Sequence, residues 1–164
     1  MNAVQYTEFG GPEVLKLVDL PDPHPAPGQI RVAVRAVGIN PIDSKQRRGG
    51  PFGSELPQTT GRDVAGLVDE LGEGASDVAL GDRVFGLAVG STAAAELALL
   101  ADYAPIPPPL DFAHAAALPI AIETATRCLE LLDVSQDTTL LINGSAGAVG
   151  SSAVQLARAR EART

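Results

Sequence analysis

Residues 138–150 read TTLLINGSAGAVG, and SSAVQLARAR follows at 151–160. A short apolar run at 140–142 ends in a glycine-rich turn, which opens directly into a segment with helical spacing. Strand, glycine turn and helix in that order is how a doubly wound sheet presents a phosphate site. Small residues let the backbone approach a ligand, and the helix start turns unpaired N–H groups and a positive dipole end toward an anion. The dinucleotide fingerprint G-x-G-x-x-G has serine at its first place here, Ser145, followed by Gly147 and Gly150. A tight strand-to-helix turn that binds nothing gives the same pattern.

Immediately upstream the texture is helical. Residues 120–132 place Ala121, Thr124, Ala125, Cys128, Leu131 and Leu132 along one side of a helix. Asp111 is set to cap a shorter helix, FAHAAAL at 112–118. Before that lies a series of short strand signals. Val4, Tyr6 and residues 14–20 form the arms of a hairpin interrupted by Gly10-Gly11-Pro12. Four prolines in PDPHPAPG, 21–28, exclude helix and inner strand there. Residues 29–37 alternate cleanly, with Ile30, Val32, Val34 and Ala36 on one face and Arg31 and Arg35 on the other. Further strands are expected within 61–74, where Gly66 marks a bulge or a close backbone approach, after the turn at Gly81-Asp82, and over 95–101. Such closely spaced strands with Gly and Pro punctuation mean a β-barrel-like domain.

Lys and Arg number 12 against 20 Asp and Glu, a formal charge of −8. That balance argues against nucleic acid or an anionic membrane as partner. There is one cysteine, Cys128, and hence no internal disulfide and no multi-cysteine zinc site. No apolar run reaches bilayer-spanning length and MNAVQYTEFGG has no secretory character, so a cytoplasmic location is expected.

Five segments carry a family resemblance: FGGPEVLKL near the start, VRAVGINPIDSKQRRG, GRDVAGLVDELGEGASDVALGDRVFG, AALPIAIETA and LLINGSAGAVGSSAVQLARAR. In this order and spacing the chain resembles the zinc-independent medium-chain dehydrogenase/reductases of quinone oxidoreductase, or zeta-crystallin, type. The resemblance implies a mostly β fold with helices: a GroES-like β-barrel domain over 1–118, then an interdomain helix and the first strand and helix of a Rossmann-type domain over 119–164. It also implies NADPH bound between the domains and hydride transfer to a quinone or an α,β-unsaturated carbonyl, a small-molecule substrate.

The resemblance marks particular residues. Asn40 and Asp43 sit in the loop that lies beside nicotinamide and substrate in the family, and are the catalytic candidates. An amide could orient a ribose hydroxyl or a substrate carbonyl. The alternative is that both satisfy loop backbone groups, with Asp43 paired to Lys45, Arg47 or Arg48. Thr124 matches the threonine that faces the nicotinamide carboxamide, or else bonds back to its own helical turn. With Asn40 and Thr124, the turn residues Ser145, Ala146, Gly147, Ala148, Val149 and Gly150 are the cofactor-binding candidates. Zinc is not expected: Gly61-Arg62-Asp63 stands where zinc-dependent members carry a histidine, and His24 and His114 lie in unrelated segments. Cys128 is expected to be a packed helix residue.

Family members are about twice this long, which leaves the adenine half of the cofactor without a pocket in this sequence. An orphan strand at 140–142 would have exposed edges, and a homodimer joined there would protect it. Glu161 stands where family helices end in glycine, which favours a naturally short chain over a fragment. The competing functional reading is therefore a redox-silent homologue, using the old cleft for non-redox chemistry such as a biosynthetic cyclisation, or serving as a partner subunit.

Overall fold

The structure is a computed structural model, and it describes residues 1–50 and 55–164. The chain divides into two compact units, Met1–Pro119 and Ile120–Thr164.

The first unit opens with the expected hairpin. Strand β1 (Asn2–Tyr6) pairs antiparallel with β2 (Lys16–Asp19), and the connection holds a 3-10 turn at Pro12–Val14. The proline-rich stretch is free of regular structure. Then follow β3 (Ile30–Gly38), helix α1 (Pro41–Arg47), β4 (Gln58–Thr59), β5 (Asp63–Leu71), β6 (Arg83–Ala88), β7 (Leu97–Pro105) and helix α2 (Phe112–Ala116). Strand β4 joins the hairpin in the order β2-β1-β4, and β3-β5-β6-β7 close into a barrel. Strand β7 begins two residues later than the 95–101 expectation and runs on to Pro105, because its second half pairs with β6 rather than β3.

Two apolar clusters explain the strand sequences. Ile30, Val32, Val64, Val68, Val84 and Leu100 fill the barrel, each at most 2% exposed. Ala65, Ile106, Ala115 and Ala116 form a second cluster, with α2 against the barrel wall. Strand β5 is thus buried on both faces, Val64 inward and Ala65 toward α2, so its apolar residues run on rather than alternate. Gly66 marks the predicted close approach: a Cβ there would collide with the carbonyl oxygen of Ala33 on β3. The register of β3 against β5 slips between Val34 and Ala36, beside Gly66. After that slip Val37 joins the barrel interior and Ala36 faces the α2 cluster, which ends the alternation read from 29–37. Asp111 caps α2 as expected, its Oδ1 accepting the His114 N–H at 2.8 Å.

The second unit holds α3 (Pro119–Leu131) and α4 (Ala148–Ala159). Three expectations are corrected here. The buried positions of α3 are Ala121, Ala125 and Leu129, while Cys128, Leu131 and Leu132 are exposed. Leu129 rather than Cys128 completes the i, i+4, i+8 row that Ala121 begins. Residues 140–142 are not a strand. Among the described residues their one ladder is a parallel bridge, Thr139 to Arg163, in which the Leu140 N–H donates to the Arg163 carbonyl at 2.8 Å and the Arg163 N–H to that of Thr138 at 2.9 Å. One rung cannot hold an extended segment on both sides, and Leu141 is 93% exposed. Finally, Glu161 does not prevent the turn that usually takes glycine. It adopts φ +61° itself, and the Ala162 and Glu161 N–H groups bond back to the Ala157 and Arg158 carbonyls.

Helix α3 ends the same way. Asp133 has φ +49°, and the N–H groups of Val134 and Asp133 reach the carbonyls of Leu129 and Glu130. In this motif the residue after the left-handed one touches the third residue from the helix end. Those two pairs, Leu129 with Val134 and Ala157 with Ala162, are the core of the second unit. Among the described residues, no helix is long and apolar enough to cross a membrane.

Candidate functional site

Helix α1 is short, and its start and end are both fixed by sequence. Asn40 is extended at φ −118°, Pro41 supplies the first helical residue, and Asp43 accepts the Asn40 backbone N–H at 2.7 Å. Gly49, at φ +74°, closes the other end, with Gly49 and Gly50 donating back to Gln46 and Lys45. Asp43 in the first turn and Arg47 in the last also suit the helix dipole.

Asn40, Asp43, Ser44 and Arg47 are spaced i, i+3, i+4 and i+7, so they share one helix face. That face lines a cavity of about 380 Å³. Opposite it stand Pro12, Leu15, Val37, Ile39 and Ala94, and Thr60 and Gly61 complete the wall. The result is an apolar pocket with one polar stripe, the usual composition of a small-molecule site. Ile39, at 91% exposure, extends the apolar surface beyond the cavity.

The stripe is tightly tied. Asn40 Nδ2 donates to Asp63 Oδ2 at 2.9 Å, and Asp63 is 1% exposed at the start of β5. One amide N–H of Asn40 is left for a ligand, because its side chain also takes part in the capping box with Asp43. Asp43 makes no ion pair with Lys45, Arg47 or Arg48, contrary to that expectation; its Oδ2 is taken by the N-cap amide instead. Its other oxygen, Oδ1, is buried with no hydrogen-bond partner among the described residues. Burial pushes the Asp43 pKa up, against the Asn40 N–H and the Arg62 charge, which both pull it down. Arg62 Nε is likewise buried without a partner there. Behind the stripe, Tyr6 donates its hydroxyl to Gln58 Oε1 at 2.7 Å, and burial raises the phenol pKa despite the nearby Arg47 charge.

The structure brings Asn40 and Asp43 together and adds Arg62, Asp63 and Arg47, which the sequence had marked only as the segment lacking a zinc histidine and as a partner for Asp43. Two signals pointed to them. Asp63 is a charge that directly precedes an apolar strand run, and Arg47 is two helical turns from Asn40 on the same face.

The remaining candidates lie in the second unit. Thr124 is half-buried on α3, and its hydroxyl donates to Glu123 Oε2 at 3.4 Å. At the glycine turn, Gly144 has φ +80° and the Gly147 N–H donates to the Gly144 carbonyl at 3.1 Å. A Cβ on Gly150 would run into that same carbonyl, so the turn can form only with glycine at 150. Gly147 caps the 12-residue α4 without a side-chain acceptor, which leaves first-turn N–H groups for solvent or an anion. Ser145, Ala146, Ala148 and Val149 are all exposed around it.

No three His, Cys, Asp or Glu among the described residues are grouped to hold a metal ion. His24 is hydrogen-bonded to Glu70 at 3.1 Å and His114 to Asp111 at 2.7 Å.

The sequence pattern described as the alcohol dehydrogenase GroES-like domain matches residues 26–101. Quinone oxidoreductase of Rattus norvegicus is 41% identical over 165 residues, covering 97% of this chain and 50% of that protein. The chloroplastic NADPH-dependent alkenal/one oxidoreductase of Arabidopsis thaliana is 37% identical, over 96% of this chain and 44% of its own length. The solved structure of Escherichia coli quinone oxidoreductase complexed with NADPH superposes with a TM-score of 0.82 at 31% identity, over 99% of this chain and 51% of that one. The chain thus spans about half the length of the curated relatives it matches.

Proposed function

Because this chain belongs to the quinone oxidoreductase type of medium-chain dehydrogenase/reductase, we propose that it serves the NADPH-dependent, zinc-free reduction of a quinone or an α,β-unsaturated carbonyl. The observation that carries this reading is the polar face of α1 along an otherwise apolar cavity. A flat apolar substrate fits such a pocket with its carbonyl oxygen on the stripe.

NADPH, when bound, supplies the hydride. The turn from Ser145 to Gly150 fits a pyrophosphate: it presents bare backbone, and α4 begins there with unpaired N–H groups. Thr124 is assigned to the carboxamide of the nicotinamide. In the first unit Asn40 orients the substrate carbonyl through its remaining amide N–H. Asp43 and Asp63 hold Asn40 in place, one on its backbone and one on its side chain. Charge that develops on the substrate oxygen is met by hydrogen-bond donors, and the last proton comes from solvent. The assembly proposed for this activity is a homodimer.

The experiment is NADPH titrated into the purified chain by calorimetry, followed by NADPH consumption with 1,4-naphthoquinone. Micromolar binding and quinone-dependent consumption are the expected results, with Asn40→Ala lowering kcat/KM at least about tenfold. A well-folded chain that neither binds nor consumes NADPH contradicts the reading. It would favour the redox-silent alternative.

A further inference from the structure

Arg47 is 7% exposed and lines the cavity, yet no described carboxylate or carbonyl pairs with its guanidinium. An i, i+4 aspartate lies N-terminal to it in the favoured orientation, but Asp43 spends its hydrogen-bonded oxygen on the Asn40 N–H. Arg62, the other nearby cation, acts on Asp43 through its charge and is not among the residues that line the cavity. Asp63 is bound by Asn40. Glu13 feels the Arg47 charge without forming an ion pair, and its carboxylate accepts the Gly11 N–H at 2.7 Å. Along the stripe, Ser44 donates its hydroxyl to the Pro41 carbonyl at 2.9 Å, so it has no proton to give a ligand. The charged donor of this pocket is therefore Arg47.

We propose that Arg47 seats the oxyanion of the ligand. This deepens the reduction reading and rests on it for the identity of the oxyanion. A hydride adds two electrons and one hydrogen to a substrate carbon. The carbonyl π pair moves onto oxygen, and the resulting phenolate or enolate takes its proton from solvent. Arg47 meets that oxygen while it is charged, at the end of the stripe away from Asn40. The guanidinium is planar and permanently protonated, and it suits a delocalised oxyanion better than a lysine would.

The test is a spectrophotometric titration of 4-nitrophenol with the chain, without NADPH. Its yellow phenolate stands for the oxyanion left after hydride addition. With Arg47 as the seat, the bound probe ionises about tenfold more readily than the free one. Arg47→Lys keeps part of the effect. Arg47→Gln abolishes it, while uncharged 4-nitroanisole binds all three proteins alike. A probe that does not bind, that binds the unsubstituted chain without enhanced ionisation, or whose enhanced ionisation survives Arg47→Gln overturns the assignment. The first two outcomes need no variant, so a misfolded Arg47→Gln does not shield it. Enhanced ionisation without NADPH oxidation sinks the reduction reading and keeps the seat; quinone reduction without enhanced ionisation does the reverse.

Discussion

Every strand of the barrel has a hydrogen-bonded neighbour on both sides, whereas the apolar run at 140–142 has one rung, at its edge. In sequence the two kinds of segment look alike, short and apolar with glycine nearby. The difference is the partner. Ile30 and Val32 are fully buried because β5 and β7 flank them, and Leu141 is 93% exposed because no strand among the described residues flanks it. Strand formation is a property of pairs, and a local pattern shows only the readiness for it.

The sharpest way to break this comparison is to truncate one leucine in each region. Leu100→Ala inside the barrel should cost about 2–5 kcal/mol, while Leu141→Ala should stay within about 0.5 kcal/mol, both read from chemical denaturation. Equal costs would mean that 140–142 is packed after all. Next in size is Leu129→Ala, about 2–3 kcal/mol, since it removes one of the two cap contacts that make up the second unit's core. Amide exchange should show that loss in 120–164 and leave the barrel protected.

A smaller effect separates the helix ends. Helix α1 closes on Gly49, but α3 and α4 close on Asp133 and Glu161 in the same left-handed conformation. That conformation costs a side-chain residue about 1–2 kcal/mol relative to glycine. Glu161→Gly should therefore raise stability by about 1 kcal/mol, and Gly49→Ala should lower it by a similar amount. The last prediction concerns pH. Burial raises the Asp43 pKa in the folded chain, so the folded state holds that proton more tightly than the unfolded one. The stability it contributes is full below the unfolded value and declines as pH rises through the folded value. Asp43→Asn should remove that decline, and the difference between the two pH profiles should widen upward from the ordinary carboxylate range.

Much of this was legible in the residues. The strand read from 29–37, its alternation good as far as Val34, and the Asp111 cap each predicted a local geometry that formed, and the glycine turn led into α4 as expected. The family motifs singled out Asn40 and Asp43 as loop residues, where the structure has the start of α1. Other features needed the fold. Cys128 and Leu129 are adjacent on a helix, and only packing decides which of them is buried. Asp43 had three cations close in sequence, and it bonded to an amide three residues back. Arg47 reads as an ordinary surface charge until the barrel and the β1–β2 connection close around it. Glu161 broke a statistical preference, but the turn formed because the Ala157–Ala162 contact and two hydrogen bonds held it.

The face of α1 is proposed to hold the substrate. That proposal is tested most directly by a 15N–1H correlation spectrum of the chain, titrated with 1,4-naphthoquinone. Cys128→Ser is used because the exposed thiol would otherwise react with the quinone. The account predicts saturable shifts at Asn40, Asp43, Ser44, Arg47 and Gly61, with the α2 cluster unmoved. Shifts confined to residues 120–164, or none, would contradict it.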